Sequence, residues 1–124
     1  TETNLMKILI VEDSENARKQ YQELFSPEGY ELLEAENGLE ALGAIQYYKE
    51  SIDIIICDVN MPKLDGLSVC EIVQRDNIKT APIIMVTTEL DPEMKKRGMN
   101  AGVRVWFHKP VDEDKLLSVV QKLA

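Results

Sequence analysis

Short apolar runs alternate with segments of helical periodicity along this chain. Five runs have the length of a strand and are too short for a helix, which needs about ten residues or more. They occupy residues 8–11, 30–35, 52–57, 82–86 and 103–108. Strands that alternate with helices are typical of βαβ units, in which neighbouring strands run parallel. The pattern therefore predicts an α/β domain built on one five-stranded parallel sheet.

A helix is predicted after each strand, because apolar residues recur there at intervals of three and four. Residues that commonly start helices precede these segments. The predicted starts are Ser14, the Asn37-Gly38 turn, Leu64 or Asp65, the Asp91-Pro92 pair and Asp112. The predicted buried faces contain Ala17, Tyr21, Leu24 and Phe25, then Leu39, Leu42 and Ile45, then Val69, Ile72 and Val73, then Met94, and finally Leu116, Val119, Val120 and Leu123.

The composition of the strands predicts their order in the sheet. Runs 8–11, 54–57 and 83–86 are continuously apolar, as expected for central strands that are covered on both faces. Runs 30–35 and 103–108 include charged residues and suit the edges. Together with right-handed crossovers, this favours a doubly wound sheet of order 2-1-3-4-5.

Four of the strands lead into residues with chemically useful side chains. The Glu12-Asp13 pair follows strand 1, Asp58 follows strand 3, Thr87 ends strand 4 and Lys109 follows strand 5. Parallel strands bring their carboxyl ends to one edge of the sheet, where open α/β sheets place their binding sites. The pattern therefore predicts a site at that edge.

Three carboxylates, those of Glu12, Asp13 and Asp58, are expected to lie close together, because strands 1 and 3 are neighbours. Such carboxylates repel and raise one another's pKa unless a cation lies between them. Mg²⁺ is the natural cation, since it prefers oxygen ligands and keeps open positions for a phosphate. Zinc is disfavoured because this edge carries no histidine or thiol ligand.

The same edge has the parts needed to form an aspartyl phosphate. A carboxylate can attack phosphorus while a metal ion and the Lys109 ammonium neutralise the phosphoryl oxygens. The Thr87 hydroxyl can donate a hydrogen bond to one of those oxygens.

These residues belong to a set of motifs with a common order and strand context. The set is Glu12-Asp13, Asp58, Met61-Pro62-x-x-Asp65-Gly66, Thr87 and Lys109-Pro110. With it, the chain resembles the receiver domain of two-component response regulators, especially the single-domain CheY-like type, over residues 5–124. The resemblance implies a flavodoxin-like, CheY-like fold. It also implies a phosphorylation-dependent signalling switch, chemotaxis-like in type, rather than an enzyme with a separate substrate.

The resemblance also assigns roles to individual residues. It implies that Asp58 is the phosphoacceptor. The implied magnesium ligands are Asp13, Asp58, the backbone carbonyl of Asn60 and, through water, Glu12. Lys109 would contact the phosphate, Thr87 would move toward it, and Trp106 would change position as part of the switch. The Lys109-Pro110 peptide is expected to be cis.

Two positions differ from the common pattern of the family. Trp106 stands where Tyr or Phe is usual, and the larger ring is expected to shift the balance between its inward and outward positions. A plain packing role for Trp106 is the alternative, because aromatic residues commonly cover sheet edges. Thr88 stands where Ala or Gly is usual, and it is expected to slow the access of phosphodonors and of hydrolytic water.

The resemblance implies that the chain is phosphorylated by a sensor histidine kinase or a phosphotransfer protein. Its output would be a downstream target protein that docks on helix 4, strand 5 and helix 5. The basic residues Lys95, Lys96 and Arg97 on helix 4 are either a solvated face or a patch that meets an acidic partner. His108 is expected to be structural or solvated, because the sequence offers it no companion ligand.

Two other functions use related chemistry or the same type of fold. A haloacid-dehalogenase-like phosphatase also forms an aspartyl phosphate, but it needs a second acid two residues after the nucleophile, where this chain has Asn60. A flavin-binding module needs a phosphate loop rich in Ser, Thr and Gly. Residues 12–15 are Glu-Asp-Ser-Glu instead and would repel a flavin phosphate.

Composition and charge further restrict what kind of protein this is. The chain has 124 residues and a formal net charge of −8, which suits one domain, most simply a monomer, and argues against direct nucleic-acid binding. No apolar run approaches the roughly 20 residues needed to span a bilayer, so membrane insertion is not expected. Cys57 and Cys70 are predicted core residues without a metal or disulfide spacing. They favour a reducing, cytoplasmic location.

Overall fold

The computed structural model describes residues 5–78 and 80–124. The strands are β1 (Lys7–Val11), β2 (Glu31–Ala35), β3 (Ile54–Asp58), β4 (Ile83–Thr87) and β5 (Val103–His108). The helices are α1 (Glu15–Phe25), α2 (Gly38–Tyr47), α3 (Gly66–Arg75), α4 (Pro92–Asn100) and α5 (Glu113–Leu123), and a short 3₁₀ turn, Ser26–Glu28, follows α1.

The five strands form one parallel sheet of order β2-β1-β3-β4-β5, which confirms the predicted doubly wound fold. β3 and β4 are buried along their whole length, as is β1 apart from its first residue. The edge strands β2 and β5 have one buried residue each, and their other residues are half-buried or exposed. Continuous apolarity was therefore a correct guide to the centre of the sheet.

Each helix begins where a polar side chain caps it. Ser14, Asn37, Asp65, Asp91 and Asp112 each accept a hydrogen bond from the backbone N–H three residues later. A cap of this kind typically stabilises a helix by ~1 kcal/mol. The caps fix the points at which the chain leaves the carboxyl edge of the sheet, and so they position the loops there.

The bounds of four strands differ from those predicted, and for β1 and β2 the difference is one residue at the start. β3 begins two residues late, because Lys7 N donates to the Asp53 side chain (2.8 Å), so that a carboxylate replaces a strand carbonyl as the acceptor. β3 also extends to include Asp58. Pro82 precedes β4, and its carbonyl accepts from Ile55 N (3.0 Å).

The core has two layers, one on each face of the sheet. α2, α3 and α4 cover one face, and α1 and α5 cover the other. Cys57 and Cys70 lie in the first layer as buried free thiols, as predicted, and burial raises the pKa of both. Among the described residues, no helix is long and apolar enough to cross a bilayer.

Leu39 is a wrong prediction of the core, since 57% of its surface is exposed. α2 packs through Ala41 and Ile45, and at its first turn through Gly38. A side chain at position 38 would collide with Leu64, so this turn lies directly on the β3–α3 loop. That orientation turns Leu39 toward solvent.

Candidate functional site

The predicted residues meet at the carboxyl edge of the sheet. Carboxylate oxygens of Glu12, Asp13 and Asp58 lie within 4.8 Å of one another. Glu12 and Asp58 are buried, whereas Asp13 is exposed. The cluster therefore has a buried floor and one carboxylate facing solvent.

Lys109 joins two of these carboxylates. Its ammonium donates to Asp58 Oδ2 (2.7 Å) and to Glu12 Oε1 (3.0 Å). The backbone N–H of Lys109 donates to the carbonyl of Thr87 (2.8 Å), which fixes this loop to the end of β4. The Lys109-Pro110 peptide is cis, as expected from the sequence.

One ammonium does not neutralise three carboxylates. The pKa of Glu12 is raised to about 7, chiefly by burial and then by the neighbouring Asp13 and Asp58 carboxyl groups, while the hydrogen bond from Lys109 opposes them. Burial lowers the pKa of Lys109, but its hydrogen bonds to Asp58 and Glu12 outweigh burial, so the pKa lies above its ordinary value. The cluster is thus short of positive charge and has only oxygen donors, which fits a hard divalent cation such as Mg²⁺.

Asp58 is held from the opposite side by the backbone. The N–H of Asn60 donates to Asp58 Oδ1 (3.1 Å). Gly66 N donates to the carbonyl of Val59 (2.9 Å), and a side chain at position 66 would collide with the carbonyl of Asp58. This contact explains the Asp65-Gly66 motif: Asp65 caps α3, and Gly66 lets the helix approach the loop that carries Asp58.

Thr87 lies at the end of the neighbouring strand but does not contact the carboxylates. Its hydroxyl donates to the carbonyl of Glu89 (3.1 Å) and accepts from Glu89 N (3.2 Å). The side chain is therefore engaged by the β4–α4 loop in this structure. Thr88 is exposed beside it, and His108 is exposed on the edge strand.

Trp106 lies on β5 and packs against α4. The six-membered part of its indole occupies the space that a side chain at Gly98 would fill. Its Nε1 atom is buried, with no hydrogen-bond partner among the described residues. Trp106 is thus in contact with the helix that the resemblance assigns to output, while its role as a switch stays a prediction.

Sequence reasoning missed Arg18, whose guanidinium lies behind the cluster. It donates to the carbonyl of Glu12 (2.7 Å) and pairs with Glu34 (3.2 Å) and Glu36 (3.4 Å). The sequence does contain a signal for these ion pairs. Glu34 lies in the predicted edge strand and Glu36 follows it, while Arg18 is the one arginine in the first turns of the preceding helix.

A groove of about 750 Å³ leads from the cluster between α1 and α5. Glu12 and Lys109 of the cluster line it. Its apolar lining is formed by Ala17, Tyr21, Leu24, Pro110, Val111 and Leu116, and its acidic lining by Glu23, Asp112, Glu113 and Asp114. Two members of the cluster therefore line a groove that has apolar walls and an acidic rim.

Known proteins share both this sequence and this arrangement of elements. A family model described as response regulator receiver domain matches residues 8–121. The chemotaxis protein CheY1 of Helicobacter pylori is 38% identical over 107 residues, which cover 85% of this chain and 86% of CheY1. Several other curated relatives are longer, and the chain spans 14%, 45% and 42% of the length of three of them.

Solved structures agree with the sequence comparison. Chemotaxis protein CheY4 of Vibrio cholerae has a TM-score of 0.85 at 36% identity, covering 97% of this chain and 99% of CheY4. A chain in the CheX–CheY–BeF₃–Mg²⁺ complex of Borrelia burgdorferi has a TM-score of 0.84 at 30% identity, covering 94% of this chain and 87% of that chain. The protein belongs to the response regulator receiver domain family and is a phosphorylation-dependent signalling domain.

Proposed function

We propose that this chain accepts a phosphoryl group on Asp58 from a sensor histidine kinase or a phosphotransfer protein. The observation that carries the proposal is the convergence of Asp58, two further carboxylates and the Lys109 ammonium at one sheet edge. Asp58 is held by a backbone N–H on one oxygen and by the ammonium on the other. It is thus oriented beside Glu12 and Lys109, which line a groove that is open to solvent.

We assign Mg²⁺ to Glu12, Asp13, Asp58 and the backbone carbonyl of Asn60. When bound, the ion would neutralise charge on the transferring phosphoryl oxygens. The side chain of Glu12 is already engaged by Lys109 and by Ser14 N (3.2 Å), which suits contact with the ion through water. Asp13 is the exposed member, which suits direct contact with the ion.

The residues of the chain divide the transfer reaction between them. One Asp58 oxygen forms the bond to phosphorus, while the bond from phosphorus to the imidazole nitrogen of the donor breaks and its electron pair stays on that nitrogen. Lys109 stays beside Asp58 and balances the added charge. Thr87 must leave Glu89 before its hydroxyl can donate to the new phosphoryl group.

The groove between α1 and α5 is our candidate for the docking site of the phosphodonor, because Glu12 and Lys109 of the cluster line it. Its apolar lining suits the apolar face of a helix. Its acidic rim suits a partner with basic residues around the phosphorylated side chain. A donor docked there would have its phosphoryl group near Asp58.

The output face that we propose consists of α4, β5 and α5. Trp106 of β5 contacts α4 through Gly98. Lys95, Lys96 and Met99 are exposed on α4, while Arg97 is engaged by Glu71 of α3 (2.6 Å). The patch that could meet an acidic partner thus consists of the two lysines, with Met99 as an apolar contact.

The only reactions that we propose for the isolated chain are self-phosphorylation from small donors and self-dephosphorylation. Exposed Thr88 stands beside the end of β4, where it would hinder the approach of water. A haloacid-dehalogenase-like phosphatase is not favoured, since the chain belongs to the receiver family and has Asn60 at the position of the second acid. Residues 5–124 as the domain, the monomeric state and the cytoplasmic location stay predictions.

The test is intact mass spectrometry after incubation with Mg²⁺ and acetyl phosphate. We expect one phosphoryl group on the parent and none on Asp58→Asn, because an amide is not a nucleophile here. Asp76→Asn is the control, since Asp76 is an exposed acid whose only ion-pair partner in the described part of the chain is Arg75. Labelling of Asp58→Asn to the parental level at an unchanged site would overturn the assignment.

A magnesium titration tests the metal assignment separately. Asp13→Ala should bind Mg²⁺ clearly more weakly than the parent, whereas Asp76→Asn should match it. Equal affinity of Asp13→Ala and the parent would show that the carboxylate cluster is not the metal site.

A further inference from the structure

Arg18 makes an unusual set of contacts for a residue in the first turns of a helix. Its guanidinium reaches back past the N-terminus of α1 to the carbonyl of Glu12 (2.7 Å). The same group pairs with Glu34 of β2 (3.2 Å) and with Glu36 of the β2–α2 loop (3.4 Å). Only 11% of the side chain is exposed. Arg18 therefore joins three segments that meet behind the carboxylate cluster.

These contacts complete the restraint of the Glu12 backbone. Glu12 N donates to the carbonyl of Ala35 (3.0 Å), so β2 holds the amide side of the residue. Arg18 holds its carbonyl, which lies beyond the last pair of the β1–β2 ladder. The peptide that leads from Glu12 to Asp13 is thereby fixed in orientation.

The restraint matters because the cluster resists its own assembly. Carboxylate oxygens of Glu12, Asp13 and Asp58 lie within 4.8 Å of one another, and carboxylates this close repel one another. Lys109 offsets the repulsion between Glu12 and Asp58. Asp13 is exposed, so its place in the cluster depends on the backbone that carries it.

We propose that Arg18 is a positioning residue for the metal site, an inference that rests on the proposed function of the cluster. Arg18 holds the Glu12-Asp13 peptide so that both carboxylates face the ion before the ion arrives. Partners of this kind, which orient metal ligands without touching the metal, typically change metal affinity 10–100-fold when they are removed.

Charge and position predict opposite results for the loss of Arg18. If its positive charge dominated, a neutral residue would make the site more negative and strengthen Mg²⁺ binding. If its positioning dominates, the same change weakens binding. Position should prevail because Glu34 and Glu36 already neutralise the guanidinium, and because arginine presents several donors in a fixed fork.

The experiment compares Arg18→Met and Arg18→Lys with the parent by isothermal titration with Mg²⁺ and by denaturant unfolding without it. We expect Mg²⁺ affinity to fall about tenfold in Arg18→Met. Arg18→Lys should be intermediate, because one ammonium can hold the Glu12 carbonyl but not all three acceptors. Arg75→Met is the matched control, since it removes an exposed arginine–aspartate pair far from the cluster.

Two results would overturn the inference. One is unchanged or tighter Mg²⁺ binding in Arg18→Met. The other is a loss of stability in that variant with no change in affinity, which would leave Arg18 a purely structural role. If Arg18→Met does not fold, Glu34→Gln loosens the same guanidinium, and unchanged affinity there is equally contrary.

Failure of this inference is distinguishable from failure of the proposed function. Mg²⁺ affinity is measured without any phosphodonor, so it does not depend on whether Asp58 is the phosphoacceptor. Labelling of Asp58→Asn would overturn the phosphoacceptor alone. Parental Mg²⁺ binding in Arg18→Met would overturn the role of Arg18 alone.

Discussion

The Lys109 ammonium lies 2.7 Å from Asp58 Oδ2, although 51 positions separate the two residues in the chain. The side chain of Asp58 is 7% exposed and that of Lys109 is 29% exposed. Lys109 therefore has the position that a cation needs to stabilise a buried carboxylate, and it is itself partly exposed to solvent. Any ion that enters the cluster shares Asp58 and Glu12 with this ammonium.

Replacement of Lys109 by Met should destabilise the metal-free protein and make it more dependent on Mg²⁺. The change leaves Asp58 and Glu12 without their cation, and we expect a loss of about 2 kcal/mol at pH 8. That is less than the roughly 3–5 kcal/mol of a fully buried broken pair, because Lys109 is partly exposed. Mg²⁺ should then restore more stability in Lys109→Met than it adds to the parent, as measured by denaturant unfolding with and without the ion.

Lys122→Met is the control for this prediction, since Lys122 is an exposed lysine in the last turn of α5. It should respond to Mg²⁺ as the parent does. If Mg²⁺ stabilised Lys109→Met no more than the parent, the ammonium and the metal would not share these carboxylates.

The pKa of Glu12 predicts a proton-linked metal site. In the metal-free folded protein burial raises this pKa from its ordinary 4.5 to about 7, so the folded state binds the proton more tightly than the unfolded state. The contribution of Glu12 to stability is therefore fully present below the unfolded pKa and is lost as pH rises through the folded pKa. Mg²⁺ needs the deprotonated carboxylate, so its affinity should rise over the same interval.

Glu12→Gln tests this coupling, because an amide resembles the protonated acid and does not titrate. Mg²⁺ affinity measured between about pH 6 and pH 8 should rise more steeply for the parent than for the variant. Without metal, the stability of Glu12→Gln relative to the parent should increase with pH. Parallel pH profiles for both proteins would exclude Glu12 as the titrating group.

Thr87 and Trp106 can be tested together through fluorescence, since Trp106 is the only tryptophan in the chain. Beryllofluoride with Mg²⁺ imitates the phosphorylated aspartate and should draw the Thr87 hydroxyl away from Glu89. We expect this to shift the emission of Trp106 in the parent and to leave it unshifted in Thr87→Ala. The state that beryllofluoride favours must gain interactions that the resting state lacks, and here these are the contacts of Thr87 and Lys109.

Thr88→Ala is the matched control, because Thr88 is the exposed neighbour of buried Thr87. It should keep the full parental change. The full change in Thr87→Ala would show that the hydroxyl is not the link, and no change in the parent would argue against a response of the ring.

Replacement by alanine should have opposite effects on stability at two helical glycines, Gly43 and Gly98. At Gly43 a new Cβ meets nothing within 4 Å, so Gly43→Ala should stabilise the protein by about 0.5–1 kcal/mol through helix propensity. At Gly98 the Cβ would collide with Trp106, so Gly98→Ala should destabilise by roughly 1–3 kcal/mol despite the same gain in propensity.

Denaturant unfolding measures both changes, and Trp106 emission should move only in Gly98→Ala. A stabilised Gly98→Ala with parental emission would mean that the ring does not depend on this contact.

The fold and the carboxylate cluster could be predicted because both follow from periodicity and chain order. Continuous apolarity identified the central strands, and parallel topology then required Glu12, Asp58 and Lys109 to meet at one edge. The burial of Leu39 was wrongly predicted, since the phase of α2 is set by the contact of Gly38 with Leu64. Spacing within a helix does not contain that information.

The hydrogen-bond partners of Arg18 and Thr87 could not be predicted from the sequence, for a different reason. Arg18 binds a backbone carbonyl, and no side-chain pattern identifies which carbonyl lacks a strand partner. Thr87 was correctly placed at the site edge, but its hydroxyl is engaged by Glu89 in this structure. In our proposal the partner of this hydroxyl changes with the state of Asp58, and the sequence does not specify that state.

The acidic rim of the groove between α1 and α5 acts on an approaching molecule before any contact forms. At physiological ionic strength charges are felt over about 8 Å, a distance comparable to the width of a helix. The negative charge of the rim repels a small anionic donor such as acetyl phosphate, whereas it attracts a phosphotransfer protein with basic residues. At saturating Mg²⁺, added salt should therefore raise the rate at which the small donor phosphorylates the protein and lower the rate for the basic protein donor. The rim would thus select between donors by their rates of encounter with the groove.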